Sequence, residues 1–183
     1  MSVVKKFSVQ GPVLIDVKKF QDDRGFFAER YKKNWLLDLG LDIDFVQDNF
    51  SRSAAQVLRG LHFQFDRPQG KLVTCLRGKI FDVAVDIRKD SPTLGQSVSV
   101  ELDGDNPQWF WIPAGFAHGF AVLSDDGADL LYKVDNYYNG KGEGAIHWND
   151  ADLKITWPIQ KPLLSPKDEA AGSFKSYLLA PKF

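Results

Sequence analysis

From residue 58 to residue 134 the chain leaves little room for anything but short strands. Alternating apolar and polar residues are interrupted by turn signals every eight to twelve positions. The plainest case is Ile80 to Arg88, where Phe81, Val83, Val85 and Ile87 fall on one face and Asp82, Ala84, Asp86 and Arg88 on the other. Val98 to Leu102 repeats the alternation before a turn at Asp103-Gly104-Asp105-Asn106. Gln108 to Ile112 runs into Pro113-Ala114-Gly115, and His118 to Leu123 into Asp125-Asp126-Gly127. No βαβ rhythm intervenes. The pattern predicts an all-β chain folded as an antiparallel barrel or jelly roll.

Around this block the sequence predicts lighter structure. Extended segments such as Val13 to Val17 precede a turn at Asp22-Asp23-Arg24-Gly25 and a strand over Phe26 to Tyr31. Asn34 to Gly40 is the best short helix, with Asn34 as N-cap and Gly40 as its stop. Phe45 to Ser51 is a strand, and a short helical segment is expected near Pro166 to Phe174. With 183 residues the chain is most simply one domain, 1–183, with a core of its own. A net charge of −1 argues against a general nucleic-acid binder. No run approaches the roughly 18 apolar residues of a membrane span, and no signal-peptide core follows Met1. Cys75 is the single cysteine, so no internal disulfide forms; its apolar neighbours make it core filling, and a cytoplasmic setting is expected.

The chemistry-bearing stretch is Arg59-Gly60-Leu61-His62-Phe63-Gln64, followed by Gln69-Gly70-Lys71. A strand, a turn over 66–70 and a return strand would bring His62 and Lys71 together. An imidazole beside a fixed ammonium suits proton abstraction next to a carbonyl. Taken singly, each residue has a plainer reading: His62 a hydrogen-bonded core residue, Lys71 a solvated strand end, Arg24 a surface ion pair. Strict alternation also sets Arg59 and His62 on opposite faces, unless Gly60 carries a bulge or Arg59 reaches in from the rim.

Pro113-Ala114-Gly115-Phe116-Ala117-His118 resembles the second motif of the cupins, a jelly-roll superfamily. Metal-binding cupins pair it with two histidines one residue apart. Here that place reads His62-Phe63-Gln64, and a glutamine is a poor substitute ligand, so no catalytic metal is expected. An ordered series of motifs extends the likeness. It comprises Asp22 to Phe27, Gln47-Asp48-Asn49, Arg59 to Gln64, Gln69-Gly70-Lys71, Asp82 to Arg88, Ser91-Pro92-Thr93, Tyr132-Lys133 with Tyr137-Tyr138, and Trp148-Asn149-Asp150. Together they resemble the dTDP-4-dehydrorhamnose 3,5-epimerase family, from about residue 10 to about residue 170.

The resemblance implies a cupin-type jelly-roll barrel with short peripheral helices and a cofactor-free isomerase acting on a dTDP-4-keto-6-deoxyhexose. It makes His62 the base, Tyr132 the proton donor across the ring, Asp168 the carboxylate orienting His62, and Lys71 the cation at the C4 oxygen. It further implies substrate contacts from Arg24, Glu29, Gln47, Asn49, Arg59, His118, Glu143 and Lys167, with Tyr138 stacking on thymine. The family's N-terminal strands cross to a partner subunit, which implies a homodimer in which Arg24 and Glu29 serve the neighbour's pocket. Competing readings are an epimerase inverting one carbon, a 3,4-ketoisomerase, a metal-dependent cupin, and a sugar-nucleotide binder without turnover.

Overall fold

The computed structural model describes residues 4–183; what the N-terminal reading says of residues 1–3 lies outside the described residues. In chain order the elements are β1 (Val4–Lys6), β2 (Val13–Asp16), β3 (Lys19–Asp22), β4 (Gly25–Ala28) and α1 (Lys33–Asp38). Next come β5 (Gln47–Ser53), β6 (Leu58–Gln64), β7 (Lys71–Arg77), β8 (Lys79–Asp86) and β9 (Ser97–Asp103). The chain ends with β10 (Gln108–Ile112), β11 (Phe116–Val122), β12 (Ala128–Val134), β13 (Glu143–Ala145), α2 (Pro166–Glu169) and α3 (Phe174–Leu178).

Two sheets, ordered β1-β2-β10-β7-β12-β5 and β13-β6-β11-β8-β9, make the antiparallel jelly-roll barrel that the alternation implied; β3 and β4 form a separate hairpin. Apolar side chains between the sheets, among them Val73, Cys75, Ile80, Leu102, Phe110 and Leu130, fill most of the interior. Two outer faces are also covered. Leu36 of α1 packs with Trp109 and Trp111 on the first sheet, and Phe174 and Tyr177 of α3 pack with Val83 and Val85 on the second.

The alternation of β8 is real, but it divides two buried faces rather than a wet one from a dry one. Its aspartates point inward and have no exposed surface. Each is buried because it is paired: Asp82 lies 2.9 Å from His118 Nε2, and Asp86 accepts from Arg88, Ser91 and Thr93. Elsewhere the ends differ from expectation. Helix α1 begins one residue before Asn34, with Lys32 at the cap and no side-chain capping bond. The expected C-terminal segment is two helices, because Ser165 and Ser173 each start one and Gly172 lies between. Strand β4 stops at Ala28, since Arg30 turns away to donate to Thr74 Oγ1 (2.7 Å) and the Cys75 carbonyl (3.0 Å).

The tension over Arg59 and His62 resolves as a bulge at Gly60. In the β6–β11 ladder His62 faces His118 while Arg59 faces Phe120, so three residues of β6 span two of β11. Gly60 has φ +127°, and a Cβ there would lie 2.5 Å from Gly119 Cα and 2.8 Å from the His118 carbonyl. Gly60→Ala should therefore cost on the order of 3 kcal/mol of unfolding free energy in chemical denaturation. Gly172→Ala, where an added Cβ meets nothing within 4 Å, should change it little.

Candidate active site

Antiparallel register gathers residues distant in sequence at one end of the barrel. His62 stands opposite His118 on one side of β6 and Ala145 of β13 on the other. Tyr132 stands between Asn49 and Val73, and two positions along, Val134 stands between Gln47 and Lys71. Residues two apart on a strand face the same way. Gln47, Asn49, His62, Lys71 and Tyr132 accordingly line one cavity of about 270 Å³, with Gln64, Tyr138 and Glu143 at its margin. A second cavity of about 310 Å³, lined by Arg59, Lys167 and Asp168 among others, meets the first at His62.

His62 Nε2 lies 2.5 Å from Asp168 Oδ1. Asp168 is buried, and its Oδ2 accepts from Ser165 Oγ at 2.8 Å. An ionised carboxylate accepts and does not donate, so Nε2 carries the imidazole proton and Nδ1 keeps the free lone pair. Burial pushes the His62 pKa below its ordinary value; Asp168 opposes this and Lys71 reinforces it. Burial raises the pKa of the Tyr132 phenol, with Arg59 acting against it. Burial also brings Lys71 down to about 8, although Asp82 and Glu143 favour its charge. Near neutral pH the cavity thus presents a neutral imidazole, a protonated phenol and a mostly charged ammonium. That set can accept one proton, give another and hold an anion between them.

The margin is tied down by hydrogen bonds. Glu143 Oε2 accepts from Tyr138 Oη at 2.9 Å and from Lys167 Nζ at 2.6 Å. Gln64, at the place where a metal cupin has its second histidine, spends its amide on the surrounding loops. Its Nε2 donates to the carbonyls of Arg67 (2.5 Å) and Tyr137 (3.1 Å), and its Oε1 accepts from the Asn139 N–H (2.7 Å). Among the described residues, no group of three or more His, Cys, Asp and Glu side chains gathers as a metal ion would require.

Three of the residues expected at the substrate do not line either cavity. His118 lies beneath, with Nε2 held by both Asp82 oxygens at 2.9 and 3.1 Å. Arg24 sits on the exposed β3–β4 hairpin, paired with Asp22 at 2.6 Å, and Glu29 pairs with Lys32 at 2.5 Å just after it. Arg59 lines the second cavity, and its Nε donates to Ser53 Oγ at 3.1 Å. Ser165 and Asp82 were missed as supports. Ser165 had a signal: a serine followed by proline, with an acid three residues on, is a helix-start pattern.

Fold and site together point to an isomerase of the cupin superfamily. Residues 6–176 match the family described as dTDP-4-dehydrorhamnose 3,5-epimerase. The curated enzyme of that description from Salmonella typhimurium is 50% identical over 182 residues, covering 98% of this chain and 99% of the relative. A crystal structure of a dTDP-6-deoxy-D-glucose-3,5-epimerase from Legionella pneumophila, in complex with dTDP-4-keto-L-rhamnose, superposes with a TM-score of 0.91 at 48% identity, covering 94% of this chain and 93% of that one. A 3′-monoepimerase from Streptomyces bikiniensis, bound to dTDP-quinovose, is more distant: TM-score 0.86 and 32% identity, covering 93% and 87%. The chain belongs to the dTDP-4-dehydrorhamnose 3,5-epimerase family.

Lys71 has a measurable consequence for stability. Its folded pKa of about 8 lies below the ordinary lysine value of 10.5, so burying the ammonium costs free energy. The cost is fully present below about pH 8 and fades as pH rises toward 10.5. Lys71→Met should therefore stabilise the fold at pH 7 by up to on the order of 3 kcal/mol. Denaturation curves of both proteins should converge as pH approaches 10.5.

Proposed function

We propose that this chain inverts C3 and C5 of dTDP-4-dehydro-6-deoxy-D-glucose by proton abstraction and return, on the route to dTDP-L-rhamnose. The observation that carries the reading is the convergence of His62, Lys71 and Tyr132 on one cavity, with the two proton carriers shifted in opposite directions. The 4-keto group acidifies the hydrogens on C3 and C5. His62 Nδ1 takes one of them, and the C–H electron pair moves into an enolate whose oxygen anion the Lys71 ammonium stabilises. Tyr132 then gives its phenolic proton to the opposite face of that carbon, inverting it. The proton held by His62 and the one owed to Tyr132 exchange with solvent, and the cycle repeats at the second carbon. Asp168 orients His62 and stabilises its imidazolium. No cofactor takes part in these steps.

The remaining contacts follow the same reading. Arg59 and Lys167, on the second cavity, supply positive charge for the pyrophosphate, and Tyr138 stacks on thymine with Glu143 fixing its hydroxyl. Gln47 Nε2 donates to Asn49 Oδ1 at 2.7 Å, and the two side chains bind the sugar together. His118 acts from beneath, through the row it shares with His62. The setting is the cytoplasm; among the described residues no helix is long and apolar enough to cross a membrane.

Sugar incubated in heavy water and followed by NMR tests the proposal. Deuterium is expected at both C3 and C5; label at one carbon alone would make this a monoepimerase, and none at all a binding protein. His62→Ala should lower exchange at both carbons by at least about 10³-fold while dTDP still binds. Tyr132→Phe should lose net inversion before it loses exchange.

We further propose a homodimer. β1 and β2 pair within the chain's own sheet, so the element free to cross is the β3–β4 hairpin, which exposes Phe20, Phe26 and Phe27 and carries Arg24. Sedimentation should give a dimer for the wild type and a monomer of reduced activity for Phe27→Glu.

A further inference from the structure

Asp168 has two carboxylate oxygens, and both are engaged. Oδ1 lies 2.5 Å from His62 Nε2, and Oδ2 accepts from Ser165 Oγ at 2.8 Å. Ser165 is also the residue that opens α2. Its Oγ accepts the Asp168 N–H at 3.1 Å, and Pro166 follows at the first helical position. A cap of this kind uses the hydroxyl lone pair alone. The hydroxyl proton is left over, and here it goes to the carboxylate behind the proposed base. Among the described residues, no side chain other than His62 and Ser165 is hydrogen-bonded to that carboxylate.

We infer that Ser165 is a positioning residue for the epimerisation: it fixes the plane of the Asp168 carboxylate and draws negative charge away from the oxygen that faces His62. The inference rests on the reading of His62 as the base. His62 must be neutral to accept a proton, so anything that strengthens its hold on a second proton weakens it at moderately low pH. With the Ser165 bond in place, the charge of Asp168 is shared between a hydroxyl and an imidazole. Without it, the whole charge falls on the imidazole and favours the imidazolium.

Other charges face the pair from the surrounding elements. Lys71 comes from β7, Glu143 from β13, Arg59 from β6 and Lys167 from α2, while Tyr132 of β12 lines the same cavity as His62. His118 of β11, held by Asp82 of β8, stands opposite His62 in the ladder. None of these groups is hydrogen-bonded to the Ser165 hydroxyl, so a displaced proton affinity would report the bond to Asp168.

The test is the pH dependence of kcat/KM for the wild type, Ser165→Ala, Ser165→Gly and Ser165→Thr. Glycine is nearly as good a helix cap as serine, so Ser165→Gly removes the hydroxyl with little disturbance to α2. In both Ser165→Ala and Ser165→Gly, the midpoint of the acidic limb should move up by roughly half a pH unit to one unit. The His62 ring resonances should titrate with the same displacement in NMR. Ser165→Thr should restore the wild-type midpoint. An acidic limb that is unmoved or lowered in the alanine and glycine variants would overturn the inference and leave Ser165 a simple cap. Failure of the underlying reading looks different, because His62→Ala would then keep wild-type exchange whatever Ser165 does.

Discussion

An ammonium carried into the barrel without an ion-pair partner is the constraint around which the polar end is arranged. Lys71 makes no salt bridge among the described residues, and burial lowers its pKa to about 8. Two carboxylates, Asp82 and Glu143, favour its charge from a distance. Neither closes on it, because each is already committed. Asp82 is held by His118, and Glu143 by Tyr138 and Lys167. Those commitments keep the lysine's charge available to the cavity. A direct ion pair would have relieved the desolvation cost and neutralised that charge.

Cavity size does not single out this site. The hollow lined by Arg88, Lys89 and Thr93 is larger, at about 420 Å³, and one near Gln56 and Lys161 reaches about 630 Å³. In the first, the guanidinium of Arg88 is already locked to the buried Asp86 carboxylate, which holds that carboxyl at about 2 despite its burial. What distinguishes the smaller cavity is the pairing of groups whose environments push their proton affinities apart. Burial of a base that is charged when protonated makes it neutral, while burial of an acid that is charged when deprotonated keeps its proton. One physical cause gives His62 and Tyr132 their complementary states.

Much of this was legible in the chain itself, for identifiable reasons. Alternation with period two depends on the pleat alone, so the strands of the barrel could be read residue by residue, as could the turn joining His62 to Lys71. Burial was not legible to the same degree. The alternation of Phe81 to Arg88 states which residues share a face; that both faces are covered depends on Phe174 and Tyr177, some ninety residues away. Helix starts failed where propensity was weak and packing decided: α1 has no capping side chain and is held by Leu36 against the tryptophans of the sheet. The supports of the site were the least visible. Gln64 reads as a missing metal ligand in the sequence, and only the loops folded around it reveal a residue whose amide is fully occupied.

The bulge at Gly60 joins the two halves of the site. In a regular strand, Arg59 and His62 would point to opposite faces, and the guanidinium would be separated from the imidazole by the sheet. One extra residue in β6 against β11 resets the phase between them, and a glycine is needed because Gly119 passes too close for a Cβ. The outcome is two cavities that share His62: one holds the phenol and the lysine, the other Arg59 and Lys167. A substrate that carries its reacting carbons on a ring and its charge on a diphosphate has the same division. The irregularity in the ladder thus brings Arg59 and His62 of one short strand to adjoining cavities.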